Sequence, residues 1–471
     1  MSVPVVVKHS GKSYNVDVDP TASVLDFKAQ LYSLTNVAPE RQKLLSKGTI
    51  IKDDTDLSSL KLSPGHQFLL LGSVSQIKEP PKPKFVEDLP PDQAADAVAS
   101  SPPGLVNLGN TCYFNSSLQL MKQVPELQQA LESYSGSSRF VATMRDTFKQ
   151  LSKSSKPIMP LLFLRALQNA FPQFLELDQN GRPRQQDAEE AFSQIMNELS
   201  SQQGDLNKIV TSTLSGTLST TLVCDDNPEE EPVISQEQFL KMPCHITINT
   251  NFLLDGLKAS LTESITKYSQ TLQRDATYTL TKRVSRLPKY LFVYFVRFYW
   301  RRDTQRKSKI LRKVTFPMEL DVTELCTDEL QEKLTPVRAL MHDLRRQIEQ
   351  DERLAKRAKN NSSTDPTPVE SDAVKELRKK VEEATAEDLQ KDPDSNPTGM
   401  YELSAVLTHQ GSSADSGHYQ CFARQKPGSE KWWRFNDDKV TEVDSGRIET
   451  LSGGGESDSA LILLYQSSHL Y

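Results

Sequence analysis

Seven prolines fall between residues 75 and 103, among scattered acidic residues and few large apolar ones. That composition favours an extended, mobile connection over packed structure. A flexible linker at 75–103 is therefore expected between a domain at 1–74 and a domain at 104–471. At 471 residues the chain exceeds the size at which one core keeps growing, so several domains, or one with insertions, are expected. The formal charge of −6 gives no overall pull toward nucleic acid or anionic lipid. The longest apolar run, "YLFVYFV" at 290–296, ends at Arg297, well short of the roughly 18 residues of a membrane span. The N-terminal apolar stretch is too short for a signal peptide. Five scattered cysteines, without a C-x-x-C pair, argue against a disulfide framework or a four-cysteine zinc ribbon. A soluble intracellular protein is expected.

In the first unit "VPVVVKH" and "SYNVDVD" alternate like strands on either side of Ser10-Gly11-Lys12, which predicts a hairpin. Ser23 and Asp26 read as a capping box before Val24, Phe27, Leu31 and Leu34 at helical spacing. "QKLL", "TII" and "HQFLLLG" then supply short strands.

Beyond the linker, helix-like stretches precede β-rich ones, an α+β order. The region 327–399 departs from it. Leu330, Leu334, Val337, Met341, Leu344 and Ile348 alternate at spacings of four and three, the period of a coiled-coil seam, and Pro336 is tolerated only near a helix start. Thr367 to Glu370 reads as a second capping box. A charged helical hairpin inserted into the larger domain is predicted, with a disordered charged insert as the alternative. The β pattern resumes at "MYELSAVLTHQG" and closes at "ALILLYQ".

Cys112 follows Gly109-Asn110-Thr111 and opens a stretch suited to a helix. A thiol there would lie beside unpaired N–H groups and the positive end of the dipole, which favour thiolate. The same N–H groups, with an amide such as Asn107, could hold an oxyanion. A lone cysteine is more often a buried, inert thiol, so a base is needed. Of seven histidines, His418 stands out, delivered onto a strand by the Gly/Ser loop "GSSADSG". Asn436, Asp437 and Asp438 follow an aromatic strand, and a hairpin between the two strands would bring one of them to the far imidazole nitrogen.

"GLVNLGNTCYFNSSLQ", "RQQDAEEAFSQIMNEL" and "YELSAVLTHQGSSADSGHYQCFAR" with "WWRFNDDKV" resemble the cysteine, second and histidine boxes of the ubiquitin-specific proteases, in family order. "RQKLLSKGTIIKDD" resembles ubiquitin and ubiquitin-like domains. The resemblance implies an N-terminal β-grasp ubiquitin-like domain followed by a papain-like fingers-palm-thumb domain carrying the insertion. It further implies a thiol-dependent deubiquitinase that cleaves the isopeptide bond at ubiquitin's C-terminal glycine. Cys112 would be the nucleophile, His418 the base, Asn436 the orienting residue and Asn107 the oxyanion donor, with Asp437 contributing its field to the imidazolium. Asp187 and Glu190 would bind the basic tail of ubiquitin.

Family members often hold zinc in the fingers on two cysteine pairs. Here the corresponding stretch has only Cys224 and Cys244, so neither metal nor cofactor is expected. The pairing of a ubiquitin-like domain with this protease resembles the members that act at the proteasome. The expected partners are ubiquitin, its conjugates and the 26S proteasome regulatory particle, reached through the first domain, in cytoplasm and nucleus. Leu45 and Leu71 fall near ubiquitin's apolar recognition patch or in ordinary core. The alternative function is a non-catalytic ubiquitin-binding regulator of the proteasome. Residues 297–313, with eight basic side chains against one acidic, are read as a solvated hairpin beside the tail channel rather than a nucleic-acid surface.

Overall fold

The computed structural model of the chain describes residues 3–20, 23–35, 37, 42–52, 55–60, 62–72, 101–177, 181, 183–301, 306–359, 371–413, 416–455 and 457–468. It divides into two compact units, Met1–Lys84 and Phe85–Tyr471. Most of the predicted linker, and the capping box predicted at 367–370, lie outside the described residues.

In the first unit β1 (Val3–His9) and β2 (Lys12–Val18) pair antiparallel. Their turn puts Ser10 and Gly11 at positive φ, 48° and 79°, the geometry that matches strand twist in a two-residue loop. The helix Val24–Thr35 carries the chain across to β3 (Lys43–Ser46), β4 (Thr49–Ile51) and β5 (His66–Leu71). Among the described residues the sheet runs β2-β1-β5-β3-β4, with β1 and β5 parallel, a β-grasp. Val5, Val7, Phe27, Leu31, Leu44, Phe68 and Leu70 form its core. His9 is buried with them, turned inward by strand alternation, and its Nδ1 meets the Leu70 carbonyl at 3.0 Å. The residues between, which alternation points outward, make a cross-strand row of Ile50, Leu45 and Leu69. Ile50, Leu69 and Leu71 are exposed and Leu45 half-buried, so Leu45 and Leu71 are not core.

The second unit begins with helices Cys112–Met121, Pro125–Ser133, Arg139–Lys153, Leu161–Ala170 and Ala188–Ser200. Most are amphipathic. In Arg139–Lys153, for example, Phe140, Val141, Met144, Phe148 and Leu151 are buried on one face, as a 3.6-residue period requires. The first is different: all ten of its residues are buried, the condition of a helix at the centre of a core. It packs on strand residues Tyr419, Cys421 and Ala423 as well as on its helical neighbours.

Three strands of the middle segment, β6 (Gly216–Cys224), β7 (Val233–Phe239) and, after β8 (Lys241–His245), β9 (Thr262–Ser269), join β10 (Arg274–Arg286) in a sheet ordered β7-β6-β10-β9. The larger sheet collects β8, β11 (Tyr290–Val296), the hairpin β12 (Phe298–Arg301) and β13 (Arg306–Lys309), β14 (Glu319–Asp321), β15 (Met400–Ser413), β16 (Ser416–Arg424), β17 (Lys431–Asn436), β18 (Lys439–Asp444) and β19 (Ser459–Ser467). Its path is β18-β17-β16-β15-β19-β11-β8. Placing β19 between β15 and β11 makes the last strand of the chain a central one.

Between β14 and β15 stand the helices Asp328–Lys359 and Asp372–Ala384. Val337, Met341 and Leu344 of one meet Val374 and Val381 of the other in a small core. Pro336 lies inside the longer helix instead of near its start, because that helix begins eight residues earlier, at Asp328. The cost is one missing backbone donor. Arg338 pairs with Asp321 and Arg345 with Glu319, tying the hairpin to alternate residues of β14.

Candidate active site

Residues 104–111 bend back so that the chain can enter the buried helix at Cys112. Gly109 and Asn110 take positive φ, 100° and 52°, conformations that glycine and asparagine adopt most readily. The Asn107 side chain organises this loop. Its Oδ1 accepts from the N–H of Gly109 at 2.9 Å, the N–H of Thr111 at 3.3 Å and the Thr111 hydroxyl at 3.4 Å. Only the nitrogen of the amide is left to donate outward. Gly104 lies flat against the turn after β17. A Cβ there would approach the Asp437 carbonyl oxygen to 2.5 Å, and the Leu105 N–H donates to that same oxygen at 2.9 Å.

Cys112 is the first residue of its helix and is 3% exposed. The predicted thiolate is not what its surroundings favour. Burial dominates and pushes the thiol up to about 11; the Asp437 charge raises it further, while N–H donation from the Tyr419, Tyr113 and Cys112 backbones lowers it. A helix N-terminus contributes fractions of a unit to a unit or so, and desolvation of a buried anion exceeds that. The sulfur faces the backbone N–H of Tyr419, the residue after His418.

His418 lies near the start of β16, where it pairs with Gln410 of β15. β16 and β17 are antiparallel neighbours, and this hairpin brings Asn436 Oδ1 to 2.6 Å from His418 Nε2. An amide oxygen accepts, so Nε2 carries a proton, and in the neutral ring this leaves the lone pair on Nδ1. Asp437 goes elsewhere. At φ 53° in the turn between β17 and β18, it gives its carboxylate to the side-chain amides of Asn107 at 2.9 Å and Asn115 at 2.8 Å. Its two carboxylate oxygens thus bond the loop before Cys112 and the helix that Cys112 opens.

Asp187 is the N-cap of Ala188–Ser200 and accepts from the Glu189 N–H at 2.9 Å. Its charge raises the phenols of Tyr294 and Tyr419, both already raised by burial. Glu190 accepts from Gln173 Nε2 at 3.4 Å and acts in the same way on Tyr113. Both carboxylates are half-buried, and both lie close to aromatic rings flanking the cysteine. Glu189, between them, pairs with Lys241. The structure thus brings Cys112, His418, Asn436 and Asn107 into one neighbourhood, with Asp187 and Glu190 on the adjoining helix. Cys224 and Cys244 stand on different strands, β6 and β8, and the Cys244 thiol, raised by burial to about 12, meets the Leu253 carbonyl. Asn115 was missed from the sequence. Its signal was its place three residues after Cys112 on the helix.

A family model described as ubiquitin carboxyl-terminal hydrolase matches residues 103–465, and one described as the ubiquitin family matches residues 5–75. Ubiquitin carboxyl-terminal hydrolase 6 of Schizosaccharomyces pombe is 40% identical over 472 residues, covering 100% of both chains. Ubiquitin carboxyl-terminal hydrolase 7 of Arabidopsis thaliana is 37% identical, covering 96% of each chain. Ubiquitin carboxyl-terminal hydrolase 14 of Caenorhabditis elegans is 34% identical over 99% of this chain and 94% of its own.

Proposed function

The chain belongs to the ubiquitin carboxyl-terminal hydrolase family, and from that premise we propose which residues perform the reaction and where in the cell it takes place. The enzyme is a cysteine-type deubiquitinase acting on ubiquitin conjugates. In the proposed mechanism His418 Nδ1 takes the Cys112 proton as the sulfur attacks the carbonyl carbon of ubiquitin's C-terminal glycine. The proton must move with the attack, because the free thiol is held neutral by burial. The carbonyl oxygen becomes an oxyanion, met by the Cys112 N–H and Asn107 Nδ2. His418 returns the proton to the departing lysine amine, and water then hydrolyses the thioester. Asn436 holds the ring in the tautomer with Nδ1 free. Asp187 and Glu190 bind the basic tail on its way to the sulfur.

The observation that carries this reading is the 2.6 Å contact between His418 Nε2 and Asn436 Oδ1, on the strand whose next backbone N–H faces the sulfur. Action at the 26S proteasome in cytoplasm and nucleus, with recycling of ubiquitin, is the finer proposal. It is supported by the outward-facing row Ile50, Leu45 and Leu69 on the first domain, its two ends exposed and Leu45 half-buried, flanked by Lys8 and Lys43. An apolar row edged by lysines suits a partner surface with apolar and acidic residues.

The test is labelling with a ubiquitin probe that ends in a thiol-reactive group, on wild type and Cys112→Ala, each with and without purified proteasome. Labelling is expected in wild type, absent in the variant, and faster with proteasome. Wild type that labels in neither condition would give precedence to a non-catalytic ubiquitin-binding role, and proteasome without effect would remove the finer proposal.

A further inference from the structure

Asn115 has no part in the steps above, yet it is 2% exposed and donates from Nδ2 toward three oxygens. These are Leu105 O at 3.2 Å, Val106 O at 3.4 Å and Asp437 Oδ1 at 2.8 Å. Two hydrogens serve three acceptors, so the longer pair share one. The other oxygen of Asp437 accepts from Asn107 Nδ2 at 2.9 Å. One carboxylate therefore spans two amides: that of Asn115, on the helix of Cys112, and that of Asn107, on the preceding loop. Asn115 Oδ1 is buried with no partner, an unfavourable state for an amide oxygen. Filling space is better done by an apolar side chain, so what distinguishes asparagine here is the donor.

The Asn107 amide is constrained from both ends. Its oxygen is held by Gly109 and Thr111, and one nitrogen hydrogen is held by Asp437. Only the second nitrogen hydrogen remains for an oxyanion. An uncompensated carboxylate at this distance from developing negative charge would oppose it. Donation from Asn115 draws that charge away and fixes where the carboxylate lies.

Building on the roles of Cys112 and Asn107 proposed above, we infer that Asn115 is a positioning residue for the oxyanion, acting through Asp437 on the Asn107 amide. Its effect belongs to steps that form an oxyanion and not to the nucleophilicity of the sulfur or to the holding of ubiquitin.

Two reagents separate these. A ubiquitin C-terminal aldehyde adds the thiol across its carbonyl to give a thiohemiacetal, whose oxygen occupies the oxyanion position. A ubiquitin with a C-terminal bromoalkyl group is attacked at a saturated carbon, with the S–C bond forming as bromide leaves, and no oxyanion arises. Asn115→Asp and Asn115→Ala in the full chain are compared with wild type on these and on a fluorogenic ubiquitin amide. The expectation is a fall in kcat of about 10- to 100-fold, below the loss from deleting an oxyanion donor itself, with KM changed less than about threefold. Aldehyde affinity should fall by the same factor as kcat/KM, and alkylation by less than about threefold. In an Asp437→Ala background, Asn115→Ala should cost less than about twofold more, the non-additivity of residues acting in series. Should the aspartate variant not fold, Asn115→Ser and Asp437→Ala carry the comparison.

Equal losses toward aldehyde and alkyl halide, a rise in KM in place of the fall in kcat, or full additivity with Asp437→Ala would overturn the inference. Wild type inert to all three reagents would overturn the underlying site assignment and this inference with it, whereas active wild type with unaffected Asn115 variants would overturn this inference alone.

Discussion

Cys112, the proposed nucleophile, combines two conditions that pull apart: its sulfur is sheltered from water, and shelter raises its pKa to about 11. At pH 7 a thiol of that pKa is thiolate in roughly one molecule in ten thousand. Because burial favours the neutral form, raising the pH is what restores reactivity. Alkylation of Cys112 by iodoacetamide, followed by mass spectrometry on the free enzyme, is expected to accelerate about tenfold per pH unit from 7 to 10. A rate already maximal at pH 7 would show that burial does not hold the thiol neutral. Asn436 supplies His418 with an oriented oxygen and no charge.

At the level of elements, Ser371 joins the two inserted helices. Its hydroxyl accepts from the Val374 N–H at 3.3 Å as N-cap of the second and donates to Asp351 of the first. Ser371→Ala is expected to destabilise this hairpin by about 1 kcal/mol. Hydrogen exchange should quicken across Asp372–Ala384, with kcat for a ubiquitin amide unchanged; a fall in kcat would mean the insertion couples to the site. The seam Leu334, Val337, Met341, Leu344 was readable because periodicity is local. Cys112 and His418 were readable for a similar reason, one at a helix start and the other at the head of a hairpin. The carboxylate shared by Asn107 and Asn115 was not, because Asp437 lies 330 and 322 positions away from them and only strand pairing decides which way it turns. The protonated thiol was also hidden: the dipole is visible in sequence, while the desolvation that outweighs it depends on a helix buried on every side.

The whole molecule is two units with separate cores. A chain of residues 85–471 is therefore expected to fold and to hydrolyse a ubiquitin amide within about twofold of the full chain's basal rate and, on the docking role proposed for the first domain, to lose any acceleration by proteasome. Retained acceleration would place the docking surface in the second unit. The order in which the parts occur along the chain has a further outcome. The outward-facing row of the first domain is complete by Leu71, the cysteine comes next, and the imidazole, its amide partner and the central strand Ser459–Ser467 come last. Translation therefore yields the ubiquitin-like domain long before it yields a catalyst. If the first domain docks as proposed, a nonsense allele ending ahead of codon 418 would encode the docking unit without the proposed base, and its product would compete with the intact enzyme for the partner's surface.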